Sequence, residues 1–171
     1  MEFFNVLNER HSIRAFHPTR LEADKLEQIL QAINRATSAG NRQAYEVYLV
    51  EDAPRKSAFV QAAGGQEFLA QAPLVLVFCA HPALSQVRYG QRGETLYTIQ
   101  DATIACTYAM LAATALGLSS VWVGAFDEQQ VYAVIGAPEG QRPVAMLLIG
   151  YAAEEPRLRD RRPLNEIIHR I

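Results

Sequence analysis

The sequence predicts a single α/β domain, and three observations support this fold class. Half of the 171 residues are apolar, which allows one domain of this length to bury a sizeable core. Helical and strand-like patterns alternate along the chain. No long linker, repeat or low-complexity segment separates them. We therefore expect residues 1–171 to fold as one domain.

The first half of the chain is predicted to contain three helices and two strands. They are a helix from Glu2 to Arg10, a helix from Glu22 to Arg35, a strand from Tyr45 to Val50, a short helix from Pro54 to Gly64 and a strand from Leu74 to Cys79. Small and polar residues at 37–43 predict a loop. The last strand is apolar without alternation, which is typical of a sheet covered on both faces.

The second half is predicted to begin with a loop, Ala80 to Glu94. A helix from Leu96 to Leu118 follows, and Gly117 is expected to cap it. The remaining elements are a strand from Ser119 to Val123, a helix from Glu128 to Ile135, a strand from Pro143 to Ile149 and a basic tail with a helix-like segment from Leu164 to Ile168.

The predicted helix over 96–118 has almost no polar face, so it must be buried on every side. A membrane span is the alternative, but Asp101 and three threonines interrupt the run and basic flanks are absent. A domain this small cannot easily cover such a helix. A second copy of the chain is therefore expected to supply the missing cover.

Composition and missing motifs exclude several kinds of partner and site. A net charge of −2 argues against a nucleic-acid partner, and the N-terminus lacks a secretory pattern, so no membrane partner and a cytoplasmic location are expected. There is no P-loop, dinucleotide fingerprint or nucleophile elbow, and the four histidines lack zinc-site spacing. Cys79 and Cys106 are predicted to be buried free thiols. A cofactor that brings its own chemistry fits better than catalysis by side chains.

Two arginine-rich segments lie near opposite ends of the chain, at residues 10–14 and 157–162. Cationic groups far apart in sequence can converge on one dianion, for which a phosphate monoester is the usual candidate. The alternative is solvated surface charge at helix ends.

Four segments in the same order resemble the FMN-dependent nitroreductase family over essentially the whole chain. Arg10-His11-Ser12-Ile13-Arg14 is similar to its Arg-x-Ser-x-Arg/Lys opening, and residues 37–43 resemble its small-residue loop ending in Asn-x-Gln. Residues 116–124 resemble its Leu-Gly-Leu-x-x-x-Trp-x-Gly segment. The closing match comprises Gly150-Tyr151 and Arg161-Arg162-Pro163-Leu164.

The resemblance implies an α+β, three-layer α-β-α fold with a central mixed, mainly antiparallel sheet. It also implies a homodimer in which the long buried helix lies at the interface and each of two FMN sites is lined by both chains. That arrangement would explain the helix that is apolar on every side.

The resemblance also assigns cofactor-binding residues. Arg10 and Ser12, joined by Arg161 and Arg159, would bind the FMN phosphate, with His11 contributing through its backbone or ring edge. Arg14 would face the ribityl chain and pyrimidine edge, where positive charge favours the reduced ring. The remaining predicted contacts with the ribityl chain and ring are Ser38, Ala39, Asn41, Gln43, Gln66 and the Gly124 N–H, the last at flavin N5.

The implied activity is a two-step oxidoreduction. NAD(P)H would reduce FMN and leave, and a nitroaromatic, a quinone or a similar flat acceptor would then take hydride without an essential acid or base side chain. Ene reduction, dehalogenation, oxygen-dependent flavin chemistry and a flavin-binding module without turnover remain alternatives. Within the short 80–94 stretch and just after it, Arg88, Tyr89, Arg92 and Tyr97 either line an open acceptor site or belong to a solvated loop.

Overall fold

The centre of the structure, a computed structural model that describes residues 1–171, is a four-stranded antiparallel sheet. Its strands are β1 (Tyr45–Val50), β2 (Leu74–Ala80), β3 (Ser119–Val123) and β4 (Arg142–Gly150). They lie in the order β1-β2-β4-β3, so β2 and β4 are central. The parallel component is limited to an isolated bridge between Ser12 and Ser120.

Seven α-helices surround the sheet. They are α1 (Phe3–Glu9), α2 (Ala23–Asn34), α3 (Ala53–Ala62), α4 (Phe68–Gln71), α5 (Pro82–Arg92), α6 (Thr98–Ala115) and α7 (Glu128–Ile135). A 3-10 turn covers Ala39–Asn41, a π-helical turn covers Gly93–Tyr97, and a second 3-10 turn covers Leu164–Glu166.

Alternate residues of β2 enter two separate cores, which makes the fold three-layered. Leu74 and Leu76 pack with α2 and α6, whereas Val75 and Val77 pack with α3, α4 and α7. All of β2 is buried, which is why its sequence shows no polar alternation. The α+β, α-β-α architecture implied by the family resemblance is confirmed.

Helix α6 is shorter than predicted at both ends, because the π-helical turn precedes it and a Schellman motif ends it. The N–H of Gly117 donates to the carbonyl of Thr114, and the N–H of Leu118 donates to that of Ala113. Gly117 has φ +75°, so the predicted capping role is confirmed. One face of α6 packs on the sheet and α2, but Tyr108 on another face remains exposed.

The interpretation of residues 80–94 as a loop is wrong. Ala80 ends β2, Pro82 occupies the first turn of α5, and the helix runs into the π-helical turn. Proline is compatible with the first turn of a helix because the N–H that it lacks would have no partner there. The helix was missed because its sequence is mostly polar and contains Gly90, whose φ of 55° and ψ of −143° interrupt it.

None of the seven helices combines the length and the apolar character that crossing a membrane requires. The sequence-based argument against a span over 96–118 agrees with this finding. The polar residues cited there, Asp101 and the threonines, lie in α6 itself.

Candidate cofactor site

The two arginine-rich segments meet in the structure. A cavity of about 390 Å³ is lined by Arg10, His11, Ser12 and Arg14 from one segment and by Arg157, Leu158, Arg159 and Arg161 from the other, with Leu7 and Asn8 of α1 completing it. Helix α1 ends at Glu9, so the first motif begins directly at its C-terminus. Sequence reasoning anticipated this convergence, including six of the residues proposed for cofactor binding.

Five guanidinium groups line this cavity, and none of them forms an ion pair or a hydrogen bond within the chain. The nearby Glu154 carboxylate accepts a hydrogen bond from the backbone N–H of Arg14, and the guanidinium of Arg14 stays free. Like charges gathered without a counterion repel one another, and an anionic ligand relieves that repulsion. Arginine forks together with the Ser12 hydroxyl provide the donor set of a phosphate monoester site.

Only two of the ten lining residues, Leu7 and Leu158, are apolar. Flat cofactor rings are usually bound by apolar and aromatic surfaces. The cavity therefore suits the phosphate end of a phosphorylated cofactor, and a ring attached to that phosphate must lie outside it.

The opening motif is attached to the sheet beside β3. The N–H of Ile13 donates to the carbonyl of Ser120 at 3.1 Å, and Ser12 bridges Ser120. Ile13 is buried in the core, while Ser12 and Arg14 on either side of it are exposed. Alternation along this extended segment thus directs both polar side chains outward.

A second group of predicted residues lies at the end of β3. Gly124 is exposed, and its N–H has no hydrogen-bond partner in the chain. The side-chain amide of Gln66 donates to the carbonyl of Ala125 at 3.2 Å, so Gln66 and Gly124 are neighbours. Gln66 is two residues before Phe68, and the Arg14 guanidinium lies 6.0 Å from the centre of the Phe68 ring. Arg14 thus lies beside Phe68, and Gln66 bonds the residue that follows Gly124.

The predicted loop at residues 37–43 has an unusual backbone. Gly40, Asn41 and Gln43 all have positive φ, at 55°, 57° and 47°. Non-glycine residues rarely adopt this region, and they tend to occur at functional sites. Inside the loop, Ser38 Oγ accepts from the backbone N–H of Gln43 at 2.9 Å.

Ser38 and Ala39 line a second cavity of about 510 Å³. Tyr97 of the π-helical turn and residues of the N-terminal half of α6, Asp101 among them, also line it. This cavity shares no lining residue with the arginine cavity. Within one chain, Ser38 and Ala39 therefore line a cavity other than that of the arginines, and Asn41 and Gln43 line neither of the two.

Helix α5 lies against the same loop. A Cβ atom added at Gly40 would clash with the Tyr89 hydroxyl and come within 2.9 Å of Arg88 Nη1. Tyr89 also packs edge-to-face on Tyr97, and Arg92 Nε donates to the Tyr97 hydroxyl. The four side chains singled out in this region thus form an ordered cluster beside the loop.

Sequence reasoning missed several residues of the site. Arg157 belonged to the second arginine-rich segment but was not assigned a cofactor contact, and Phe68 gave no signal. Asp101 appeared as a polar interruption of an apolar helix, yet its buried carboxylate bonds the backbone of the loop.

The two cysteines are buried and free, as predicted. Burial raises the pKa of the Cys79 thiol to about 12, with a smaller contribution from the charge of Glu46, and it raises the pKa of Cys106 well above the usual value. Neither thiol is available as a thiolate at neutral pH. No cluster of three or more His, Cys, Asp and Glu side chains suited to a metal ion is present.

Comparisons with known proteins identify the family. The pattern described as "Nitroreductase family" matches residues 7–151. The chain is 30% identical to an "FMN reductase [NAD(P)H]" of Bacillus subtilis, over 98% of this chain and 73% of that protein. It is also 30% identical to an "NADH dehydrogenase" of Thermus thermophilus, over 94% and 91% of the two chains.

Solved structures agree with the sequence matches. NfrA2 of B. megaterium superposes with a TM-score of 0.91 at 26% identity, covering 99% of this chain and 74% of the other. The hypothetical oxidoreductase YcnD from Bacillus subtilis gives a TM-score of 0.89 at 30% identity with the same coverage. Together with the match over most of its length, these similarities show that the chain belongs to the nitroreductase family.

Proposed function

We infer that this protein is an NAD(P)H-dependent oxidoreductase with FMN as its cofactor, and we propose that it reduces nitroaromatic compounds, quinones or similar flat acceptors. Relatives named FMN reductase and oxygen-insensitive NADPH nitroreductase support the first part. The arginine cavity carries the proposal, because five unpaired guanidiniums in a chain of net charge −2 fit the phosphate of this cofactor.

The arrangement of polar groups supports a division of roles. Arg10, Ser12, Arg159 and Arg161 bind the phosphate, and His11, whose Nδ1 lies 2.9 Å from the Glu9 carbonyl oxygen, lines the same cavity. The phosphate carries about −1.5 to −2 charges, so several charge-assisted hydrogen bonds are needed to satisfy it.

The ring side of the proposed site contains Arg14, Gln66 and Gly124. The free N–H of Gly124 would be available to ring N5, and the Gln66 amide is held next to it by its bond to the Ala125 carbonyl. Arg14, whose guanidinium lies 6.0 Å from the centre of the Phe68 ring, would supply a positive charge that favours the reduced ring. FMN, when bound, supplies the acceptor and donor of hydride.

A homodimer accounts for the residues of the loop. The arginine cavity and the loop cavity share no lining residue within one chain, which favours a site in which a second copy supplies the loop. Ser38, Ala39, Asn41 and Gln43 of the partner subunit then complete the site.

The chain has an apolar surface suited to that second copy. A groove of about 530 Å³ is lined entirely by apolar or aromatic residues of α1, α2, α6 and the N-terminus. Phe3, which lines it, is 60% exposed, and the adjacent Phe4 is 74% exposed. Exposed patches of this kind on α1 and α6 favour association. Covering them also gives α6 the burial that its composition demands.

The reaction proceeds in two steps at one site. NAD(P)H would transfer a hydride to the bound cofactor and leave as NAD(P)+ before the acceptor binds, and the chain would contribute position and charge without an essential acid or base. Steady-state rates at varied NAD(P)H and acceptor concentrations then give parallel double-reciprocal lines. Intersecting lines contradict this order of events.

The proposed function is tested by purifying the protein and titrating it with FMN. We expect yellow protein, reduction by NAD(P)H under anaerobic conditions and rapid reoxidation by a quinone or a nitroaromatic compound. A colourless protein that gains no flavin spectrum overturns the proposal. A panel containing enones and halogenated aromatics, run with and without oxygen, separates the alternative activities.

A further inference from the structure

Asp101 is a buried carboxylate in the first turn of α6, and its side chain contacts the loop at both ends. Oδ1 accepts from the N–H of Ala39 at 2.9 Å, and Oδ2 accepts from the N–H of Ala44 at 3.4 Å. Asp101 is only 2% exposed, and no Lys, Arg or His pairs with it. A polar group buried in this way depends on its hydrogen-bond donors for its stability.

The backbone between those two contacts is in a costly conformation. Asn41 and Gln43 have positive φ although both carry a Cβ, which L-residues adopt only at a cost in free energy. A strained segment of this kind persists only where its surroundings hold it in place. Asp101 bonds the backbone on either side of the strained residues.

Thr98 reinforces the same end of the loop from one turn earlier on α6. Its Oγ1 donates to the carbonyl of Ala44 at 2.8 Å, and the backbone N–H of His81 donates to that carbonyl at 3.0 Å. Ala44 is fully buried, so none of these bonds competes with water. The first turn of α6 therefore holds both backbone polar groups of Ala44.

We propose that Asp101 is a positioning residue, which holds residues 38–44 in the conformation that contacts the flavin. It acts through the backbone of Ala39 and Ala44, since both of its oxygens are engaged there. The inference rests on the proposed function, because the flavin contacts of Ser38, Ala39, Asn41 and Gln43 belong to it.

Asp101→Asn tests the proposal with little change in shape. Asparagine has a single acceptor oxygen, so its amide nitrogen would face one of the two N–H donors and one bond is lost. We expect the Kd for FMN to rise about tenfold to a hundredfold, the range of a lost hydrogen bond to a charged group. In the cofactor-free protein, amide hydrogen exchange measured by NMR should accelerate at Ala39 and Ala44.

Riboflavin, which lacks the phosphate, distinguishes positioning of the loop from damage to the phosphate cavity. Asp101→Asn should raise the Kd values for FMN and riboflavin by the same factor, because the loop contacts the part that the two ligands share. Arg10→Ala should instead reduce the difference between the Kd values for FMN and riboflavin. If Asp101→Asn weakens the binding of FMN but not that of riboflavin, the proposed role is wrong.

Asp52→Asn is the matched control. Asp52 also accepts a backbone N–H, from Arg55 at 3.0 Å, but it caps α3 and none of its hydrogen bonds reaches the loop. The control should lower the melting temperature and leave the Kd values for both flavins unchanged.

Thr98→Val provides a second variant if Asp101→Asn fails to fold. It removes the hydroxyl bond to Ala44 while the side-chain volume stays nearly the same. It should raise the Kd values for FMN and riboflavin by one common factor, smaller than the factor in Asp101→Asn. Wild-type protein that binds no FMN overturns the proposed function. If the wild-type protein binds FMN and Asp101→Asn binds it with the same affinity, the positioning role alone is overturned. If only Thr98→Val folds, an unchanged affinity in that variant overturns it in the same way.

Discussion

The backbone N–H of Ile13 donates to the carbonyl oxygen of Ser120 across 3.1 Å, and this bond fastens the arginine motif to the edge of the sheet. Ile13 is 3% exposed and Ser120 is 2% exposed, so the attachment is sheltered from water. Arg10 and Arg14 are thus presented from a fixed backbone. Residues held in this way bind with a smaller loss of conformational entropy than residues of a mobile loop.

Arg10→Ala should weaken FMN binding by about 1.5 to 3 kcal/mol, because a charge-assisted hydrogen bond to phosphate is lost. Fluorescence titration of FMN measures the change. Arg20→Ala is the control, since Arg20 is exposed and pairs with Glu51 rather than lining the cavity. An unchanged Kd in Arg10→Ala would remove Arg10 from the phosphate site.

Arg161→Ala and Arg162→Ala should differ although the two residues are adjacent. Arg161 lines the cavity, whereas the Arg162 guanidinium bonds the Glu166 carboxylate and carbonyl. We expect Arg161→Ala to weaken FMN binding by about 1.5 kcal/mol or more, and Arg162→Ala to leave the FMN affinity unchanged. Equal losses in the two variants would indicate a general effect of tail charge.

Arg14→Gln should lower the midpoint potential of bound FMN, because a positive charge that favours the reduced ring is removed. We expect a decrease of about 30 mV, equivalent to roughly 1.4 kcal/mol for two electrons. Redox titration with an indicator dye measures it, and Arg14→Lys should retain most of the wild-type potential. A potential unaffected by Arg14→Gln would place Arg14 away from the ring.

The stability of the fold should decrease in acid through the Glu128–Arg142 pair. Arg142 donates to both Glu128 oxygens, at 2.8 and 2.7 Å, and these bonds hold the pKa of Glu128 below its usual value of 4.5. The contribution is therefore present above pH 4.5 and is lost as the pH falls through the lowered pKa. The free energy of unfolding, measured with urea, should depend less on pH in this range in Glu128→Gln than in the wild type. Parallel pH curves for the two proteins would exclude the pair as a cause.

Gly117→Ala should destabilise the protein by about 1 to 2 kcal/mol, because alanine at φ +75° is strained although the Cβ has open space. Thermal unfolding measures the loss. Gly124→Ala is a useful contrast, since Gly124 lacks a positive φ and its added Cβ would come no closer than 3.5 Å, to Trp122 Nε1. It should cost much less, and equal losses would contradict the backbone explanation.

Patterns local in sequence predicted most of the fold. The helix over Glu128–Ile135 and the strands over Tyr45–Val50 and Ser119–Val123 match the structure, because hydrophobic periodicity marks their ends. Helix α5 was missed, since it packs through Ser85 and the half-buried Leu84 and Tyr89 rather than through an apolar stripe. Its position against Gly40 depends on tertiary contacts that no periodicity records.

The candidate site was predictable where charge identified it. Arg10 and Arg161 attract attention as members of clusters, and the need to balance their charge implies convergence. Asp101 gives no such signal, because the significance of one carboxylate in an apolar helix depends on which backbone groups it meets. Ala39 and Ala44 are more than fifty residues away from it in sequence.

The separation of the arginine cavity from the loop cavity has a genetic consequence if each site is shared between two subunits. A chain damaged at Arg10 still offers an intact loop, and a chain damaged at Asp101 still offers intact arginines. If one variant of each kind is co-expressed, every mixed dimer would contain one wild-type site and one site that is damaged in both halves. Two variants damaged in the same half would never restore each other.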